Sequence, residues 1–216
     1  MTAQPEFIGH LAQLGLRLDN EQIAKLGAYL TLIQKWNKVY NLTAVRDPNE
    51  MVTHHLLDSL TAVAPLNRHL AQAGLGPSAS LLDVGSGAGL PGVVMAICCP
   101  TVKVTCVDTV AKKATFIKQV ALELKLPNLT GLHARVESIN SPFDVICSRA
   151  FASLGDFTQW SASALAPAGV WMAMKGKHPA DELAALPTNI DVFHVEQLKV
   201  PGLHAERCVV WMRKAT

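Results

Sequence analysis

The residues with most chemistry in them sit in the stretch LLDVGSGAGLPG, residues 81–92, where an acid, Asp83, precedes a run of glycines at Gly85, Gly87, Gly89 and Gly92. A glycine-rich turn after a strand is the usual cradle of a nucleotide, because glycine lets the backbone approach a ligand closely. No Gly-Lys-Ser or Gly-Lys-Thr follows, so nothing in the turn would clamp a triphosphate. Gly87-Ala88-Gly89-Leu90-Pro91-Gly92 does fit the dinucleotide pattern, and Asp108 lies about 20 residues on, where an acid takes ribose hydroxyls. Yet the turn starts two residues early, at Gly85, and a carboxylate at its mouth would oppose a pyrophosphate. S-adenosylmethionine fits better. It offers adenosine without phosphate, plus a sulfonium and an ammonium that Asp83 is expected to favour. Asp108, ending KVTCVD, is expected to accept from both ribose hydroxyls.

The acceptor side is expected after the fourth strand, at CSRAFASL, residues 147–154. An Asn-Pro-Pro-Tyr motif for adenine amino methylation is absent. Carbon methylation of cytosine needs a thiolate, and Cys147 reads better as a buried structural thiol within an apolar strand. Ribose methylation needs a base, for which Lys175 lacks an evident partner acid. A ring nitrogen such as guanine N7 asks for less, since its lone pair is already nucleophilic and alignment alone can carry the reaction. No single residue is therefore expected to act as acid or base.

These residues need a scaffold. From residue 81 short apolar runs alternate with helical stretches: LLDVG, VVMAICC, KVTCVD, KKATFIKQVALELKL, LTGLHARV and FDVICSR. That alternation predicts a mostly parallel sheet with helices on both faces. WMAMKG reads as a further strand, and DVFHVEQLKVP with ERCVVWMRK as a pair forming an antiparallel C-terminal edge. Before residue 67 the periodicity is helical, with Ile23, Leu26, Leu30, Ile33 and Trp36 on one stripe. KWNKVYNLTAV reads as a polar-aromatic connector, and Asp47-Pro48-Asn49-Glu50 as a helix start with a capping box. Gly74, Gly76 and Pro77 mark a linker. The expected organisation is a helical extension over 1–66 packed on a methyltransferase domain over 67–216, the whole forming one compact unit.

The bulk numbers agree with a well-filled core: 50% hydrophobic and 17% charged residues in 216. A net charge of +2 does not advertise a nucleic-acid binder by composition, so an RNA site must be a local patch. Lys112, Lys113 and Lys118 on one helix, with Arg135 and Lys177 elsewhere, are its candidates, though a solvated helix face explains the lysines as well. Five cysteines without a C-x-x-C pattern suit reduced thiols, and no metal site is expected. No signal peptide or membrane span is read, so a cytoplasmic location is expected.

Six motifs carry a resemblance over nearly the whole chain: KWNKVYNLTAVRDPNEMVTHHLLDSL, LLDVGSGAGLPG, VDTVAKKATFI, RVES, FDVICSRAFASL and MKGKHP. The first and fifth are the specific ones. Together they resemble the bacterial 16S ribosomal RNA guanine-N7 methyltransferase family RsmG, the glucose-inhibited division protein B family. The resemblance implies a Rossmann-like S-adenosylmethionine-dependent fold with an N-terminal helical extension, and 16S RNA in a small-subunit particle as partner. It carries cofactor contacts onto Gly85, Leu90, Val136, Glu137 and Arg149, with Asp108 as the ribose acid; Gly87 and Gly89 belong to the same turn. Arg149 is expected at either the methionine carboxylate or guanine O6, with a loop-pinning role as the plainer alternative. Asn41, His55, Asp58 and Lys175 fall in the family's other motifs. His55 and Asp58 share one helix face and either line the acceptor cleft or tie the extension to the sheet. Lys175 is a candidate RNA-phosphate contact, and Asn41 a further candidate of the acceptor side.

Overall fold

The computed structural model describes residues 5–76 and 78–215; of the linker residues, Pro77 lies outside them. Its centre is a seven-stranded sheet of order β3-β2-β1-β4-β5-β7-β6. The strands are β1 (Ser80–Val84), β2 (Lys103–Asp108), β3 (Leu129–His133), β4 (Phe143–Arg149), β5 (Leu165–Lys175), β6 (Ile190–Leu198) and β7 (Arg207–Lys214). The first five are parallel, and β7 runs antiparallel to both β5 and β6. The antiparallel edge is thus present, with the last strand inserted inside it and β6 at the rim.

Side-chain alternation divides the core in two. Leu81, Val104, Cys106, Val145, Met172 and Trp211 point to one face; Leu82, Val84, Val107, Ile146, Trp171 and Val210 point to the other. The first face is covered by α2 (Asn20–Tyr40), α5 (Val63–Gln72), α6 (Gly92–Cys98) and α7 (Ala111–Glu123); α8 (Leu154–Ser161) covers the second. α1 (Pro5–Gln13) buries Phe7 and Leu11 in the first cluster, and a short α9 (Ala180–Ala184) lies beside α8.

The helix α2 carries the expected stripe, with Leu26, Leu30 and Ile33 buried. It starts on a capping box made by Asp19 and Gln22. It also runs on through the KWNKVY segment expected as a connector, ending at Tyr40 where Asn41 turns left-handed at φ 50°. Trp36 explains the extra turn: its ring packs 5.3 Å from Phe116 of α7, which holds the helix to the sheet. Asp47 caps the next helix as expected, accepting from Asn49 and Glu50 N–H groups. That helix comprises α3 (Pro48–Met51), a π-helical segment Val52–Leu57 and α4 (Asp58–Leu60).

One hydrophobic cluster joins residues from Phe7 to Leu70 with β1, β2, β4, β5 and β7. A boundary after residue 66 would fall inside α5. We infer that the extension and the sheet unfold together. Urea denaturation followed by far-UV circular dichroism and by tryptophan fluorescence should give coincident single transitions. A separate early loss of helix would show that 1–66 is an independent layer.

Candidate active site

In open α/β sheets, ligands lie beyond the carboxyl ends of the strands, where the order reverses. Here β1 lies between β2 and β4, so the reversal falls at the β1/β4 pair. Two cavities open there, and both are lined by Gly85, just after β1, and Ala150, just after β4. Ala150 sits at φ 52°, a left-handed conformation that costs a residue with Cβ about 1–2 kcal/mol. Such strain often marks a functional turn.

The smaller cavity, about 440 Å³, holds Asp108, Val110, Lys113, Val136, Glu137, Phe151 and Trp160. Asp108 ends β2 and is almost fully buried. Its Oδ2 accepts from Gly87 N–H at 3.0 Å and its Oδ1 from Val110 N–H at 2.8 Å, while Lys113 Nζ lies 3.5 Å away. The acid therefore fixes the glycine turn and still faces the cavity. Gly85 has φ +66°, and a Cβ there would lie 2.3 Å from the Phe151 ring. Glycine is needed at that point for both reasons. Gly87 lines the larger cavity, as does Leu90. Gly89 serves a different end: a Cβ would strike Val93 and Ile117, so its bareness lets α6 and α7 close under the turn.

The larger cavity, about 620 Å³, shares Gly85 and Ala150 with the smaller one and brings together His54, His55, Asp58, Arg149, Lys175 and Arg207. Asp58 is buried and bridges two strand ends. Its Oδ2 accepts from Arg149 Nη1 at 2.7 Å and its Oδ1 from Arg207 Nε at 2.9 Å. Arg149 Nη1 also donates to the His54 carbonyl at 2.8 Å. Among the described residues Arg149 Nε and Nη2 have no protein partner. His55, in the π-helical segment, bonds Thr43 Oγ1 through Nε2 at 2.7 Å. Burial, then the Arg149 guanidinium, pushes His55 down to about 4, so the ring is uncharged at neutral pH. π-Helical turns recur at functional sites, and this one sets His54, His55 and Asp58 against the strand ends.

Several expected site residues stand elsewhere than sequence suggests. Asp83 lies beneath the glycine turn and reaches neither cavity. It sits on the face of β1 that packs on α6, where its Oδ2 accepts from Gly92 N–H at 2.8 Å. From there it anchors the start of α6, and its Oδ1 has no partner among the described residues. Lys175 lines the larger cavity, but its ammonium is held by both oxygens of Glu182, at 2.9 and 2.8 Å, and by the Ala152 carbonyl. Asn41 lines neither cavity and accepts from Arg46 Nη2 at 3.0 Å. The buried amide of the loop is instead Asn37, which accepts from Thr43 N–H and donates to the Val45 carbonyl. Glu50 does not complete the expected capping box; it lines the larger cavity. Cys147 is fully buried, and burial pushes its thiol up.

Two contacts escaped sequence reasoning altogether. Tyr29, buried on α2, donates to the Ala88 carbonyl at 2.6 Å and so braces the glycine turn from the helical layer. Arg207 opens β7, 149 positions from its partner Asp58. Only its place at the start of an apolar strand could have hinted at a site role. No cluster of three or more His, Cys, Asp or Glu side chains suited to a metal forms among the described residues. Nor is any described helix long and apolar enough to cross a membrane.

Solved structures with this architecture include TrmN from Thermus thermophilus, 21% identical, with a TM-score of 0.57 over 73% of this chain and 49% of that one. Coclaurine N-methyltransferase, solved with N-methylheliamine and SAH, is 14% identical, with a TM-score of 0.53 over 89% and 72% of the two chains. The fold is thus that of the Rossmann-like methyltransferases. A family model described as rRNA small subunit methyltransferase G matches residues 22–210. The ribosomal RNA small subunit methyltransferase G of Polaromonas naphthalenivorans (strain CJ2) is 73% identical over 203 residues, 94% of this chain and 92% of that protein. The chain belongs to the rRNA small subunit methyltransferase G family, also called GidB.

Burial raises the Asp83 carboxyl from 3.8 to about 7, against the opposing pull of the Gly92 N–H and the Arg149 guanidinium. An acid raised on folding holds its proton more tightly in the folded chain. Its contribution is therefore most favourable at low pH, and stability is lost as pH rises between about 4 and 7. Asp83→Asn keeps an acceptor for Gly92 and removes this titration. The advantage of Asn over Asp in urea unfolding should grow across that window; a difference independent of pH would contradict the assignment.

Proposed function

We propose that this protein transfers a methyl group from S-adenosylmethionine to N7 of a guanine in 16S ribosomal RNA, presented within a small-subunit particle. The observation that carries the reading is the pair of cavities meeting at Gly85 and Ala150, one suited to adenosine and one open to an acceptor base.

The smaller cavity fits the nucleoside. Val110, Val136, Phe151 and Trp160 supply apolar walls for a flat base, and Asp108 supplies acceptor lone pairs for ribose hydroxyls. Val136 and Glu137, in a 3-10 turn, line this cavity, which supports their reading an adenine edge. Gly85 lines both cavities, and Gly87 and Leu90 line the larger one. S-adenosylmethionine supplies an electrophilic methyl group when bound. Arg149, at the junction, offers its unpartnered N–H groups to the methionine carboxylate or to guanine O6.

Two charged groups of the larger cavity are already engaged, Asp58 by two guanidiniums and Lys175 by Glu182, while Glu50, His54 and His55 also line it. An acceptor atom that loses no proton, such as guanine N7, needs none of them as a base. The residues then act by orientation and by excluding water rather than by moving a proton. The name shared by the family and its relatives supports small-subunit RNA as the substrate.

The test is to map N7-methylguanine in small-subunit RNA from cells with and without this gene. The modification should vanish with the gene and return with the wild-type chain. Arg149→Ala leaves Asp58 paired with Arg207, so it should fold, yet lose methylation on the order of tenfold or more. Near-normal methylation by Arg149→Ala would remove that residue from the site.

A further inference from the structure

We propose that the end of α2 and the loop after it, residues 35–46, form the surface that docks the RNA and leads the acceptor base into the larger cavity; this rests on the RNA methyltransferase reading above. The segment KWNKVYNLTAVR holds Lys35, Lys38 and Arg46 and no acid. All three are exposed. Among the described residues neither lysine is in an ion pair, and Arg46 donates to a neutral amide oxygen, that of Asn41. Of the cations nearer the strand ends, Lys113 pairs with Asp108, Lys175 with Glu182, and Arg149 and Arg207 share the one carboxylate of Asp58, while Arg135 and Lys177 are in no ion pair among the described residues. The following acid, Asp47, is spent on capping α3.

The same surface carries an exposed aromatic ring. Tyr40 is 40% exposed and Val39 beside it 70%. The Tyr40 ring lies 5.1 Å from Trp36, which in turn packs 5.3 Å from Phe116. The exposed ring is therefore braced from behind by the core. Unpaired cations on one side of the end of α2 and a braced ring on another are both features that a single-stranded RNA segment uses. The cations neutralise phosphates, and the ring offers a stacking face to any base.

Continuity with the site supports RNA as the occupant. Leu42, Thr43 and Val45 of the same segment line the larger cavity, and Asn37 pins that loop at Thr43 and Val45. A strand that crosses the end of α2 from Lys35 and Lys38 to Tyr40 continues onto this loop, whose Leu42, Thr43 and Val45 line the cavity. Lys112 and Lys118, considered first on sequence grounds, stand on the exposed face of α7 and line neither cavity.

Steady-state methylation of small ribosomal subunits from cells lacking the gene tests this with the full chain. Lys35→Glu/Lys38→Glu should raise KM for the subunit roughly tenfold and flatten its dependence on salt. Tyr40→Ala should raise KM roughly tenfold, with Tyr40→Phe close to wild type. In each variant kcat and calorimetric affinity for S-adenosylhomocysteine should hold. Lys125→Glu, at the far end of α7 from the cavities, should leave KM unchanged. Subunit KM at the wild-type value in both variants overturns the surface while wild-type methylation stands. A raised KM with unchanged salt dependence overturns RNA in favour of a protein contact. A matching loss of S-adenosylhomocysteine affinity also overturns it, assigning the effect to the cofactor cavity. Failure of the wild-type chain to methylate the subunit would instead overturn the functional reading.

Discussion

A single buried carboxylate, Asp58, holds the site together. It gathers a guanidinium from the end of β4 and another from the start of β7 onto the helix that precedes the sheet. Losing either partner leaves Asp58 one guanidinium, whereas losing Asp58 leaves two cations facing each other across a cavity. Breaking a buried ion network in that way costs about 3–5 kcal/mol. The bridge and the His54 carbonyl together take up Arg149 Nη1 and leave Nε and Nη2 without a protein partner among the described residues. The larger cavity thus lies where the helical layer and the sheet are pinned at their common rim.

The glycine turn is supported from below in the same manner. Asp83 anchors Gly92, Asp108 anchors Gly87, and Tyr29 anchors Ala88. Three side chains from three different elements thus fix one backbone loop before any ligand arrives. Rigid placement of that kind lowers the ordering cost of binding. It also explains why the turn needs acids without those acids all serving the ligand.

Much of this fold is legible in the sequence because it is local. The alternation of short apolar runs and helical stretches after residue 81 is a periodicity, and the stripe of Leu26, Leu30 and Ile33 is another. The glycine turn and Asp108 follow one another at a spacing set by a single strand-helix-strand unit. The side on which Asp83 falls is a different matter. It depends on which face of β1 receives α6, and no residue near position 83 encodes that. The Asp58–Arg207 contact joins chain segments 149 positions apart. The insertion of β7 between β5 and β6 is equally non-local. Lys35 to Tyr40 carries polar residues that read as a connector, whereas the packing of Trp36 on Phe116 continues α2 to Tyr40.

The central claim is that the crevice between the ends of β1 and β4 is a divided one, with nucleoside on one side of Gly85 and acceptor on the other. A crystal structure with S-adenosylhomocysteine bound tests it most directly. The adenine should lie beside Val136 and Glu137 with its ribose at Asp108, and the homocysteine should cross Gly85 toward Arg149. Adenine in the cavity of Asp58 and Arg207, or a ligand outside this crevice, would contradict the account.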